Sequence, residues 1–118
     1  MDSYVKRTVF DNFSKKVLPN KVLILLGARR VGKTELIKNY LKNIPAESYL
    51  QLNGEDIHDA ALLQERSVAN YKRLLANIDL LVVDEAQTIP NIGLILKLIV
   101  DSIDGIKIIA TGSSIFDL

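Results

Sequence analysis

Residues 21–34 read KVLILLGARRVGKT, an apolar run that gives way to two glycines framing four free positions, then a lysine and a hydroxyl. Few folds accommodate that combination. A strand apolar along its whole length is expected to be covered on both faces, as in a parallel sheet layered between helices. Gly27 and Gly32, having no Cβ, let the backbone turn freely and approach a ligand closely. Helical periodicity starts at once afterwards, with Leu36, Ile37, Tyr40, Leu41 and Ile44 on one stripe that Pro45 closes. The whole fits the pattern Gly-x-x-x-x-Gly-Lys-Ser/Thr. The backbone from Gly27 through Ala28, Arg29, Arg30, Val31, Gly32 and Lys33 to Thr34 and Glu35 is expected to cradle phosphates, helped by the positive end of the helix it opens. Lys33 then supplies a charge to the β and γ phosphates, and the Thr34 hydroxyl a ligand to Mg²⁺. The side chains of Arg29 and Arg30 occupy free positions of the loop and are read as solvated or structural.

The rest of the chain repeats the theme of buried strand and amphipathic crossover. A leading helix over 4–18 places Val5, Val9, Phe13 and Val17 at steps of four. ESYLQLN is a second strand, ended by the Asn53-Gly54 turn signal. Helical segments follow at about 55–64 and 67–77, the latter with Ser67 as N-cap and Val68, Tyr71, Leu74 and Leu75 facing inward. DLLVVDEAQ is a third strand. PNIGLILKLIVDSI makes a helix with Ile92, Ile95, Leu96, Ile99 and Ile103 on one face, and IKIIATGSS is the last strand. Strands alternating with helices imply an α/β fold of three layers, a parallel sheet with helices on both faces. Ligands of such sheets sit outside the carboxyl ends of the strands. GARRVGKT, DEAQ and TGSS each follow a strand directly, so the fold should gather them at one edge.

Asp84 at the tip of its strand suits a carboxylate that holds Mg²⁺ through its water shell. Glu85, expected on the other side of the strand, is placed to orient and deprotonate a water attacking a γ-phosphate. Thr111 and Ser113, with Ser114 beside them, are short donors able to position that phosphate or water. Gln87 either contacts the γ-phosphate or begins the next loop. His58 reads as surface and Tyr71 as core.

Other chemistries fall away. The chain has no cysteine and one histidine, which excludes disulfides, thiolate catalysis and a histidine metal cluster. No apolar run approaches the ~18 residues of a membrane span, and the N-terminus lacks a secretory h-region. A cytoplasmic location with no membrane partner is the expectation. The net charge of +1 conceals an excess of basic residues in 1–42 and of acidic residues in 43–118. That asymmetry is compatible with nucleic acid but does not indicate it, since no aromatics interleave with the basic residues.

Together GARRVGKT, LLVVDEAQ and IIATGSS resemble the Walker A, Walker B and sensor 1 elements of AAA-type P-loop ATPases with an added catalytic glutamate. More narrowly, with Lys6-Arg7 in the leading helix, the chain resembles prokaryotic predicted ATPases whose AAA core is followed by a C-terminal domain of unknown function. The resemblance implies a P-loop NTPase fold that binds ATP and Mg²⁺ and hydrolyses ATP, with catalytic roles for Glu85, Lys33, Thr111 and Ser113. It places the Walker A strand between the sensor strand and a fifth strand, with a helical lid beyond. With Leu118 just past the sensor motif, residues 1–118 are expected to be one ATPase-core domain lacking its last strand and lid, with KVLILL left as an edge. Partners implied are ATP, the C-terminal domain and other copies in a homo-oligomer. A nucleotide-gated switch that docks a partner through the helix at 92–103, and a nucleic-acid motor suggested by DEAQ, stay open as alternatives.

Overall fold

A computed structural model of the chain describes residues 12–27 and 32–112. The elements are α1, helical over 12–16, then β1 (Lys21–Leu26), α2 (Lys33–Leu41), β2 (Tyr49–Asn53), α3 (Ile57–Gln64), α4 (Val68–Leu74), β3 (Leu80–Asp84), α5 (Ile92–Ser102) and β4 (Lys107–Gly112). Short 3₁₀ turns at Ala46–Ser48 and Ala86–Thr88 complete the connections. Val5 and Val9, with Lys6 and Arg7, lie outside the described residues.

The four strands form one sheet in the order β1-β4-β3-β2, every pair parallel. This is a three-layer α/β fold, as the alternation of strands and helices in the sequence implies. Because side chains alternate across a strand, β3 sends Leu81 and Val83 into one layer and Leu80 and Val82 into the other. The first layer is closed by α3, α4 and α5 through Leu63, Tyr71, Leu75, Ile95, Leu96 and Ile99. The second is closed by α1 and α2 through Phe13, Val17, Ile37 and Leu41, with the Phe13 and Tyr40 rings edge to face at 5.4 Å.

Packing decides α5. Its N-cap, Asn91, has φ 59 and makes no side-chain cap, forgoing about 1 kcal/mol. Burial of Ile92, Ile95, Leu96 and Ile99, at about 1.5–3 kcal/mol each, exceeds that several-fold. α4 has the cap expected of it, Ser67 Oγ accepting from Asn70 N at 3.0 Å, and Asp56 does the same for α3.

Two expectations are corrected here. β1 is not buried on both faces: Val22, Leu23, Ile24 and Leu25 are half-buried and Leu26 is 53% exposed. Topology is the reason, since among the described residues β1 pairs with β4 alone and sits at the edge. Val68 is not buried: it shares the i, i+3, i+7 face of Tyr71 and Leu75, yet at the first position of a short helix it stays 39% exposed. No helix among the described residues is long and apolar enough to cross a membrane.

Candidate functional site

Gly27 continues β1 with φ 146, its amide donating to the Gly112 carbonyl at 3.2 Å, and Gly32 opens α2 with φ 83. A Cβ at Gly32 would meet nothing within 4 Å, so conformation rather than space asks for glycine there. No described side chain caps the start of α2, which leaves its first-turn N–H groups without a side-chain acceptor among the described residues, the arrangement that favours an anion. Ala28, Arg29, Arg30 and Val31 lie outside the described residues, as do Ser113 and Ser114.

Lys33, first residue of α2, is only 8% exposed. Its Nζ donates to the carbonyl of Gly27 at 2.9 Å and to that of Gly112 at 2.7 Å. The ammonium therefore stands between the carboxyl ends of β1 and β4, beside the loop that was expected to hold phosphate.

Across the sheet edge, Asp84 is held from both sides. Its Oδ1 accepts from Thr111 Oγ1 at 3.3 Å and its Oδ2 from Gln51 Nε2 at 3.1 Å. Thr111, 3% exposed, also accepts at Oγ1 from the Glu85 amide at 3.1 Å. One hydroxyl thus fixes the relative placement of the two carboxylate residues. The parallel register explains the meeting: Asn53 is level with Asp84, and Val83 with Ala110, so the residues that follow are neighbours.

Glu85 departs from expectation. Extended backbone would send its side chain opposite to Asp84, toward the layer that holds Leu81 and Val83. Instead Glu85 has φ 50 and ψ 47, which turns the chain and brings its side chain to the same cavity as Asp84. Its Oε1 accepts from Gln87 Nε2 at 3.0 Å, so Gln87 serves the glutamate rather than merely starting a loop.

The cavity has a volume of about 270 Å³ and is lined by Lys33, Thr34, Asn53, Glu55, Asp84, Glu85 and Thr111. Five of these come from the sequence motifs. Asn53 and Glu55 do not, and neither does Gln51; the available signal was the Asn53-Gly54 turn, which ends β2 at the same sheet edge. Glu35 lies in the first turn of α2, exposed and outside this lining. A second cavity of about 260 Å³ shares Thr34 and Asp84 and runs along α2 past Lys38 to Tyr49 and Gln51.

Thr34 and Asp84 fit a magnesium ion: a hydroxyl and a carboxylate, hard oxygen donors at one cavity. Among the described residues no group of three or more His, Cys, Asp and Glu is arranged to hold a metal by itself. Mg²⁺ commonly takes one or two protein ligands and completes its shell with water and phosphate.

A family model described as an AAA domain matches residues 19–118, which include every residue of the cavity. No curated protein matches the chain.

Proposed function

The chain belongs to the AAA domain family, whose members carry a nucleotide-binding, ATPase-type function, and on that premise we propose that it binds Mg·ATP in the cavity at the carboxyl ends of β2, β3 and β4, beside the start of α2, and hydrolyses it. The observation that supports this most is convergence: Lys33, Thr34, Asp84, Glu85 and Thr111, contributed by α2, β3, the turn after it and β4, line one cavity at the carboxyl edge of a parallel sheet.

In this reading the loop and the start of α2 hold the β and γ phosphates, with the Lys33 ammonium as the charge beside them. Thr34 and Asp84 would hold Mg²⁺, which when bound neutralises charge on the β and γ phosphate oxygens. Asp84 keeps its orientation through Thr111 and Gln51. The Glu85 carboxylate orients a water and accepts its proton as the water oxygen bonds to the γ-phosphorus and the β,γ-bridging P–O bond breaks. ADP and inorganic phosphate leave, and the proton on Glu85 passes to solvent.

The rival switch reading loses its main support. The apolar face of α5 is spent on the core through Ile92, Ile95, Leu96 and Ile99, and Leu94 is the large apolar side chain it leaves exposed.

Thermal unfolding of the chain and of Lys33→Ala, each with Mg·ATP and with Mg²⁺ alone, tests the binding part. At 100-fold over Kd a ligand of the folded state adds ~2.7 kcal/mol, a rise of roughly 10 °C for a domain this size. We expect that rise in the parent and its loss in Lys33→Ala; equal rises in both would sink the reading. For hydrolysis, Glu85→Gln should bind as the parent does and turn over about 100-fold more slowly.

A further inference from the structure

Among the described residues four non-glycine positions have positive φ: Asn20, Asn77, Asn91 and Glu85. Asparagine adopts that conformation readily, whereas a glutamate there must be held by its surroundings. The hold is visible. The Glu85 amide donates to Thr111, and the Glu85 carbonyl accepts from both the Thr88 amide at 3.2 Å and the Thr88 hydroxyl at 2.8 Å. The preceding carbonyl, that of Asp84, accepts from the Gly54 amide at 2.7 Å.

Gly54 explains itself only through this contact. Its φ lies outside the left-handed range, so conformation does not ask for glycine. Space does: a Cβ there would run into the Glu85 carbonyl oxygen, which is backbone and cannot swing aside, and would stand 2.7 Å from Thr88 Oγ1. The loop leaving β2 is thereby pressed against the turn that carries Glu85.

We propose that Gly54 and Thr88 are positioning residues for hydrolysis, holding Glu85 in the left-handed conformation that turns its carboxylate into the cavity. Thr88 fixes the Glu85 carbonyl from within the turn, and Gly54 closes on it from β2. Neither residue lines the cavity. Both act on where the carboxylate stands relative to the water, so they govern the chemical step and leave nucleotide affinity alone. The proposal rests on the reading of Glu85 as the base that takes the proton from water.

The experiment compares the full chain with Glu85→Gln, Gly54→Ala, Thr88→Val and Thr88→Ser, measuring affinity for a fluorescent ATP analogue with Mg²⁺ and single-turnover hydrolysis of radiolabelled ATP. Gly54→Ala and Thr88→Val should bind within about twofold of the parent and hydrolyse at least about tenfold more slowly, as small misplacements of a reacting group do. Thr88→Ser, which restores the hydroxyl, should recover most of the rate. A second readout does not depend on turnover: amide hydrogen exchange at Glu85, followed by NMR, should accelerate at least about tenfold in Gly54→Ala and Thr88→Val while Leu81, Val82 and Val83 keep parental protection. Parental rates in both variants alongside a slow Glu85→Gln would overturn the proposal, as would unchanged exchange at Glu85. A Glu85→Gln variant as fast as the parent would instead overturn the reading of Glu85 itself. Should Gly54→Ala not fold, the two Thr88 variants decide.

Discussion

Lys33 serves the fold as well as the site. Hydrogen bonds from a charged donor are worth about 1.5–3 kcal/mol each before the desolvation of a buried ammonium is set against them, and Lys33 makes two. We expect Lys33→Ala to lose about 1–2 kcal/mol without any nucleotide, a fall in Tm of roughly 5–10 °C. Equal Tm values for parent and variant in Mg²⁺ alone would refute this, and any loss means that nucleotide shifts must be compared within each protein. Glu85 carries the opposite lesson, that of strain kept for position. Left-handed backbone costs a non-glycine residue about 1–2 kcal/mol and glycine almost nothing. Glu85→Gly should therefore be about 1 kcal/mol more stable than Glu85→Ala in urea unfolding, the reverse of the usual order, although both lack the carboxylate. Lys33, Thr34, Asp84, Glu85 and Thr111 were legible because each stands at or just past the carboxyl end of an apolar strand or directly after a glycine loop. The turn at Glu85 was not, because strand alternation predicts the opposite face, and of the contacts that override it only those from Thr88 are local, while those from Gly54 and Thr111 come from far away in sequence.

Elements hold one another by their ends. The last carbonyls of α3 have no partner within the helix. α4 supplies it: Tyr71 Oη donates to Leu63 O at 2.6 Å, and Asn70 Nδ2 donates to Leu62 O and Glu65 O, both at 2.9 Å. Tyr71→Phe should cost about 1 kcal/mol in thermal or urea unfolding, since the buried Leu63 carbonyl loses its side-chain donor, and Asn70→Ala about 1 kcal/mol, since the part-buried Leu62 carbonyl loses its donor while Glu65 O keeps the Ser67 amide. Values within the noise of surface substitutions would mean that water replaces the caps. Burial pushes the Tyr71 hydroxyl above its ordinary range near pH 10. The neutral form is thus favoured in the folded chain, so this contribution is complete below about pH 10 and lost as pH rises through the raised value. Stability should fall less steeply above pH 10 in Tyr71→Phe than in the parent. From the sequence, Tyr71 and Leu75 were correctly assigned to the core and Ser67 to the cap, because helical periodicity and N-cap chemistry are local. That α4 caps α3 was invisible, being a contact between helices. The same limit applied to strands. KVLILL and LLVVD are equally apolar, yet β3 is buried and β1 half-exposed, since place in the sheet is not written in either segment.

At the scale of the molecule, the order β1-β4-β3-β2 sets the geometry of the cavity and one liability together. Putting β4 between β1 and β3 brings Thr111 beside Asp84 and lets Lys33 reach Gly112, so the site depends on β1 standing outside β4. Among the described residues the outer side of β1 then has no strand beside it, and the segment is six residues long, without proline or glycine, with Lys21 as its charge. Edge strands of that kind pair readily with another chain. The other edge, β2, is better protected: it is shorter, with polar Gln51 and Asn53 exposed, and its loop is anchored to β3 by the Gly54 amide. Self-association should therefore run through β1 rather than β2. Sedimentation velocity over a hundredfold range of concentration should show a dimer growing in with concentration, and amide exchange in the dimer should slow at Val22–Leu26 and not at Tyr49–Asn53. A chain that stays monomeric throughout would show that the outer side of β1 is closed to partners, and protection appearing at β2 would move the interface to the opposite edge.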